Sequence, residues 1–413
     1  MLRIKSDVTD YIFRCKSLTM PALLRNRYFL FFITLYTGVC ALVFSYMLYF
    51  YVGSDLHAHI QILLSFVEVG SIPTPPGYYT LVYLLHFVMP YNEGYALAAV
   101  VVLAAAGFFK YGISYKYLNT YCPGLAGSRI GIFTWALMFF APLTLFGLEG
   151  ELWYLGKFTP LIWHNSTSLL SFPFCILLFY YSIQYLETRD NGLLIRIFIV
   201  ATIIVLIKPS FVFAFLPAFP LSILIIDKKW SADVSKTLAL GIPLVAIVIL
   251  EKILIYNVNP IDSHLETGII DGIGIRPFYL WLYHSESLLW DVVSSFLFPF
   301  FFIVFYFKKL IMDPHAVFAG LLIVVAHLIF FTLVETGPRM TDGNFFWQVI
   351  LTLFMGYLVL TKHLLNLYFG AVGDVRNERR LSYKTILLLV LFFFHVIGGL
   401  AYTIRIFTTH AIS

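Results

Sequence analysis

Charge is what this chain has least of. Only 12% of its 413 residues are Asp, Glu, Lys or Arg, against 60% hydrophobic and 18% aromatic residues. A water-soluble surface cannot be covered with so few charges, so soluble, disordered and nucleic-acid-binding classes are excluded together. Cysteine is scarce as well. Cys15, Cys40, Cys122 and Cys175 show no CxxC spacing, which argues against a disulfide framework or a thiolate metal site. Low-complexity tracts, internal repeats and an appended soluble domain are not seen. The first apolar run, 28–50, is too long for the core of a cleavable leader and has no small-residue cleavage site after it, so it reads as a signal anchor.

What the chain has in abundance is long apolar runs, with a mean hydropathy of +0.87. A helix crosses the hydrocarbon core of a bilayer in about 20 residues. Spans are expected at 28–50, 94–113, 130–147, 166–186, 193–207, 210–226, 237–256, 289–307, 315–334, 345–361 and 385–404, which makes an all-α polytopic membrane protein with about 11 transmembrane helices. The stretch 78–88 is apolar but too short to span, and it follows Pro73, Pro75, Pro76 and Gly77. It is expected to be re-entrant or interfacial.

Basic residues report orientation. With a basic arm over 1–27 placed in the cytoplasm, 21 of the 27 Lys and Arg residues fall on that side, Lys110 and Lys362 among them. Lys157, Lys208, Lys252, Arg276, Arg339 and Arg405 fall on the other. Residues 28–404 then form one transmembrane domain. The segments 51–77, 148–165, 257–288 and 335–344 and a short tail over 405–413 face outward from a multi-pass protein of the cell membrane.

Unusual chemistry gathers on that outer side. Ser54 is placed to cap a helix and Asp55 stands in its first turn, where a carboxylate suits the helix dipole. Leu56, Ile60, Leu63, Leu64 and Val67 follow at helical spacing, while His57, Gln61, Ser65 and Glu68 share another face, as in an amphipathic helix lying on the membrane surface. Asp55 suits a plain capping role; with His57 and His59 beside it, it also suits a general base or a ligand to a divalent cation. The spacing does not match a zinc signature, whereas a magnesium or manganese ion shared with a phosphate stays open.

The second outer segment carries Glu149 and the run Trp163-His164-Asn165-Ser166-Thr167, a flat ring beside hydrogen-bonding groups that suits sugar binding, although an interfacial tryptophan belt is the plainer account. Lys208-Pro209-Ser210 breaks two apolar runs. A charged, broken turn at membrane depth usually lines a cavity, although a lysine there can also snorkel to headgroups. Arg339, presented by Gly337-Pro338 with Asp342 close by, suits bidentate grip of a phosphate.

An acidic residue just after the first span, followed by an amphipathic surface helix, resembles the C-type glycosyltransferases (the GT-C superfamily), on the strength of Gly53-Ser54-Asp55 and its helix. The resemblance implies an integral membrane enzyme that moves a sugar from a polyprenyl-phosphate or polyprenyl-pyrophosphate carrier to a glycan, lipid or protein acceptor on the non-cytoplasmic face. It also implies that Asp55 is the base or a metal-associated residue. The Asp-Asp or Glu-Asp pair common in such enzymes is absent, since Ser54 precedes Asp55. Two other readings fit the sequence: a polymerase or ligase of lipid-linked glycans, and a transporter or flippase.

Overall fold

A computed structural model describes residues 25–50, 54–90, 94–144, 156–257, 272–372 and 382–409. About 81% of it is helical, in 14 helices, of which nine among the described residues are long and apolar enough to cross a membrane. This is an all-α polytopic membrane protein.

Helix α1 (Arg27–Tyr49) starts at Asn26, whose side chain accepts hydrogen bonds from the Tyr28 and Phe29 amides. Next come α2 (Asp55–Glu68), α3 (Pro76–His86), α4 (Gly94–Tyr121), α5 (Gly127–Met138), α6 (Ser166–Thr188), α7 (Asn191–Ile207), α8 (Ser210–Asp227) and α9 (Ala232–Asn257). The short α10 (Tyr279–His284) precedes α11 (Leu288–Ile311), α12 (Pro314–Thr332), α13 (Trp347–Val372) and α14 (Tyr383–Thr409). Strands β1 (Ile273–Ile275) and β2 (Leu333–Glu335) pair antiparallel, Ile273 opposite Glu335, an element with no sequence signal.

The layering follows burial. Helices α6 and α13 are central, with 72% and 78% of their most apolar windows buried, whereas α9 buries 17% and turns the rest outward. Helix α2 buries Leu56, Ile60 and Leu63 of the expected apolar stripe, with Phe66 in addition, while Leu64 and Val67 are half-buried. Helix α3 has 11 residues, too few to span, and packs on α4 and α7.

Two expectations fail. The helix expected over 130–147 ends at Met138, because Pro142 has no N–H to donate and disfavours helical geometry at Ala141. The chain continues extended inside the bundle. The Ala141 amide donates to the His395 carbonyl, the His395 imidazole donates back to Ala141, and the Leu143 amide donates to the Ser294 carbonyl. Backbone at this depth survives only when protein satisfies it, and α14 and α11 do so here. Secondly, the described part of the 148–165 segment is no surface loop. Lys157, Phe158, Leu161, Ile162 and Trp163 are all buried. Lys110 and Lys362 are counted on the cytoplasmic side by charge alone. Both are buried within longer helices, Lys362 donating to Asp313 at 2.6 Å and the Lys110 ammonium lying 3.9 Å above the Phe172 ring. The expected eleven spans correspond to nine long helices plus α5 and α7, of 12 and 17 residues.

The extended segment depends on two glycines. A Cβ on Gly399 would sit 1.8 Å from the Phe139 carbonyl oxygen, and one on Gly398 2.5 Å from that of Pro142. Backbone cannot yield as a side-chain tip can. Gly399→Ala is therefore expected to cost at least about 1–3 kcal/mol, seen as a lowered melting temperature in detergent, while Gly320→Ala, with nothing within 4 Å, leaves melting unchanged.

Candidate functional site

The start of α2, the start of α6, the α7–α8 turn and the start of α13 meet at one end of the bundle. Pro209 breaks the apolar run as expected, so that α7 ends at Ile207 and α8 begins at Ser210 with Lys208 between them. The Asp55 amide donates to the His164 carbonyl at 3.1 Å, which fixes the first turn of α2 against the residues leading into α6.

Asn165 is the centre of the arrangement. Its amide nitrogen donates to Asp55 Oδ2 at 2.6 Å, and its oxygen accepts from Lys208 Nζ at 2.9 Å. The same oxygen caps α6 by accepting from the Ser168 amide at 2.9 Å and takes the Thr167 hydroxyl at 3.2 Å. One amide group thus joins a carboxylate to an ammonium and orients both. Asp55 Oδ1 makes no hydrogen bond among the described residues.

Lys208 has further neighbours. Its Nζ lies 3.4 Å from the Thr167 hydroxyl and 4.6 Å from the centre of the Trp347 ring, against which His164 also packs. Withdrawal from water pushes the Lys208 ammonium down to about 7, against the pull of Asp55 and then Glu335. Glu335, at the end of β2, accepts from the Asn344 amide at 2.6 Å.

His59 lies one turn along α2 from Asp55 and shares a 2.6 Å hydrogen bond with the Tyr79 hydroxyl. Burial first, and the Lys208 charge second, lower its basicity to about 4 although Asp55 opposes them, so its ring is neutral near pH 7. His164 is lowered for the same leading reason.

Several expected site residues are placed elsewhere. His57 turns back to donate to the Leu48 carbonyl at 2.9 Å, tying α2 to the end of α1 instead of joining Asp55. Trp163 offers no face to a sugar: it is 1% exposed, covered by Phe44 and Phe139, and its indole donates to Thr403 at 3.1 Å. Ser54 occupies the cap position of α2 by its backbone, yet its hydroxyl makes no capping bond. Arg339 belongs to the 3-10 turn Gly337–Thr341, but its side chain is outside the described residues, as is Glu149. Asp342 is exposed just beyond that turn.

A metal site is not supported by this geometry. Asp55, His57 and His59 point to three different partners, and no group of three His, Cys, Asp or Glu side chains gathers around a common point among the described residues. No step below uses a metal.

Sequence reasoning missed Tyr78, Tyr79, Trp347 and Glu335 as neighbours of the site. The tyrosines open the short helix after Pro76-Gly77, and Trp347 opens α13; their positions at element ends were the available signal. Comparison with known proteins finds no matching family model and no matching curated protein.

Proposed function

We propose that this protein is an integral membrane glycosyltransferase that moves a sugar from a polyprenyl-phosphate or polyprenyl-pyrophosphate carrier to an acceptor hydroxyl, with Asp55 as base. The observation that carries the reading is the Asp55–Asn165–Lys208 chain at one end of the bundle. Such transfer needs a base for the acceptor proton and positive charge for the departing phosphate. Asp55 Oδ1 takes the proton as the acceptor oxygen attacks the anomeric carbon. The carbon–oxygen bond to the phosphate breaks, and Lys208 neutralises the negative charge that develops there, with Arg339 proposed as a second cation. Asn165 keeps base and cation in register without itself reacting. The apolar outer faces of the helices leave the lipid carrier in the membrane, its natural phase.

The test is transfer by purified protein in detergent from polyprenyl-phosphate-linked sugars, with Asp55→Asn as the matched inactive protein. One observation favours a carried solute instead: the Lys110 ammonium stands at membrane depth over Phe172 and Phe354. Detergent separates the two readings, since an enzyme turns over without compartments and a transporter does not.

The reading places this end of the bundle outside the cytoplasm, in the cell membrane, with the N-terminal arm inside. Single cysteines at Ser71 and Thr341 are expected to react with an impermeant maleimide added to intact cells. Protection of both until the cells are broken would reverse the orientation.

A further inference from the structure

Every ionised side chain named at the site already has a partner: Asp55 and Lys208 share Asn165, and Glu335 holds Asn344. What remains unused is uncharged. The hydroxyls of Ser54, Tyr78, Ser166 and Ser168, the Gln348 amide oxygen and His164 Nδ1 are all withdrawn from water and meet no hydrogen-bond partner at normal geometry among the described residues. Tyr78 is 1% exposed, and Ser166, Ser168 and Gln348 are 0% exposed.

These groups are placed within a residue or two of the site's own members. Ser54 precedes Asp55, His164 and Ser166 flank Asn165, and Gln348 follows Trp347. Tyr78 packs against His59, at 5.8 Å between rings, and neighbours Ser166 closely enough for the serine to temper the rise that burial imposes on the phenol. A buried polar atom left without a partner costs about 1–3 kcal/mol, so several in one place mark where a ligand's own polar groups complete the set. Hydroxyl, amide and neutral imidazole can each meet a ligand hydroxyl. Lys208, the cation beside them, is the one assigned to the departing phosphate and so is not spare for a sugar carboxylate, which Asp55 and Glu335 would repel.

From this we infer that the site takes an uncharged sugar and rejects its uronic acid, with Tyr78 and Ser166 as specificity-determining residues. The inference rests on the glycosyl-transfer reading and deepens it by naming the class of sugar.

The test uses simple membrane-soluble probes that lack phosphate: the n-octyl glycosides of glucose, galactose and mannose, and n-octyl glucuronide. Binding to the protein in lipid nanodiscs is read from intrinsic tryptophan fluorescence, Trp347 being at the site. At least one uncharged glycoside is expected to bind saturably, at least about tenfold tighter than the glucuronide. Tyr78→Phe and Ser166→Ala are each expected to weaken it about fivefold or more, the loss of one buried hydrogen bond. Among the described residues these two hydroxyls have at most each other, in a loose contact, so both variants should melt close to the parent, and a purely structural role would leave binding unmoved. Equal or tighter binding of the glucuronide, saturable binding by no uncharged glycoside, or unchanged binding in both variants overturns the inference. Failure here with Asp55-dependent transfer intact removes the sugar class alone; absence of transfer with these glycosides still bound removes the transferase reading.

Discussion

Asp55→Asn is expected to lower glycosyl transfer at least about a hundredfold while leaving the protein folded. General-base assistance is worth roughly 10²–10⁴ in rate, and asparagine cannot accept the acceptor's proton. The fold should tolerate the change. Asparagine is as good as aspartate at a helix start, and its amide oxygen can still accept from Asn165 as Oδ2 does now. A residue that serves only the helix would lose less than about 1 kcal/mol and keep its activity. Purified wild-type and variant proteins would be compared for turnover, with thermal unfolding in detergent as the control for folding. Wild-type turnover by a well-folded Asp55→Asn protein would remove the carboxylate from the mechanism.

Lys208→Met is expected to be comparably severe, about 10²–10³ in turnover, the usual loss when a group placed to stabilise developing charge is deleted. Asn165 retains Thr167 and the Ser168 amide as partners for its oxygen, so the α6 cap survives. The sign of the pH dependence follows from the ammonium's depressed basicity of about 7 in the free protein. Lys208 is charged below that value and neutral above it, so kcat/KM for the donor should fall as pH rises through about 7. Lys208→Arg keeps its charge at every accessible pH and should lose that alkaline fall even if its turnover is reduced. An unchanged alkaline limb in the arginine variant would assign the titration to another group.

Much of the fold was legible because one solvent dictates one solution. Runs such as 28–50 and 210–226 have no alternative to helix in a bilayer, and the α2 stripe from Leu56 to Leu63 can bury only one face. Asp55, Asn165 and Lys208 were each legible as polar groups at element ends. Their union through one amide was not, since it depends on how α2, α6 and the α7–α8 turn meet in space. The misreadings have a common cause. Trp163 and His57 are residue types that suit an interface or a site, and their partners, Thr403 and the Leu48 carbonyl, lie on other helices. The charge count that includes Lys110 and Lys362 says nothing of their settings among Phe172 and Phe354, or beside Asp313, which are tertiary facts. Pro142 did announce the early end of α5, but a hydropathy window does not weigh a missing donor.

The extended passage after α5 also sets an order of assembly. Its backbone at Ala141 is satisfied by His395, and Trp163, just before the site, is anchored to Thr403. Both partners belong to α14, 254 and 240 residues further along the chain. Without that helix the Ala141 amide and carbonyl lose these partners, and only the Leu143 amide, held by Ser294 of α11, keeps its own. The passage around Ala141 and Trp163, and with it the approach to the Asp55 site, therefore takes its final arrangement only once α14 packs against it.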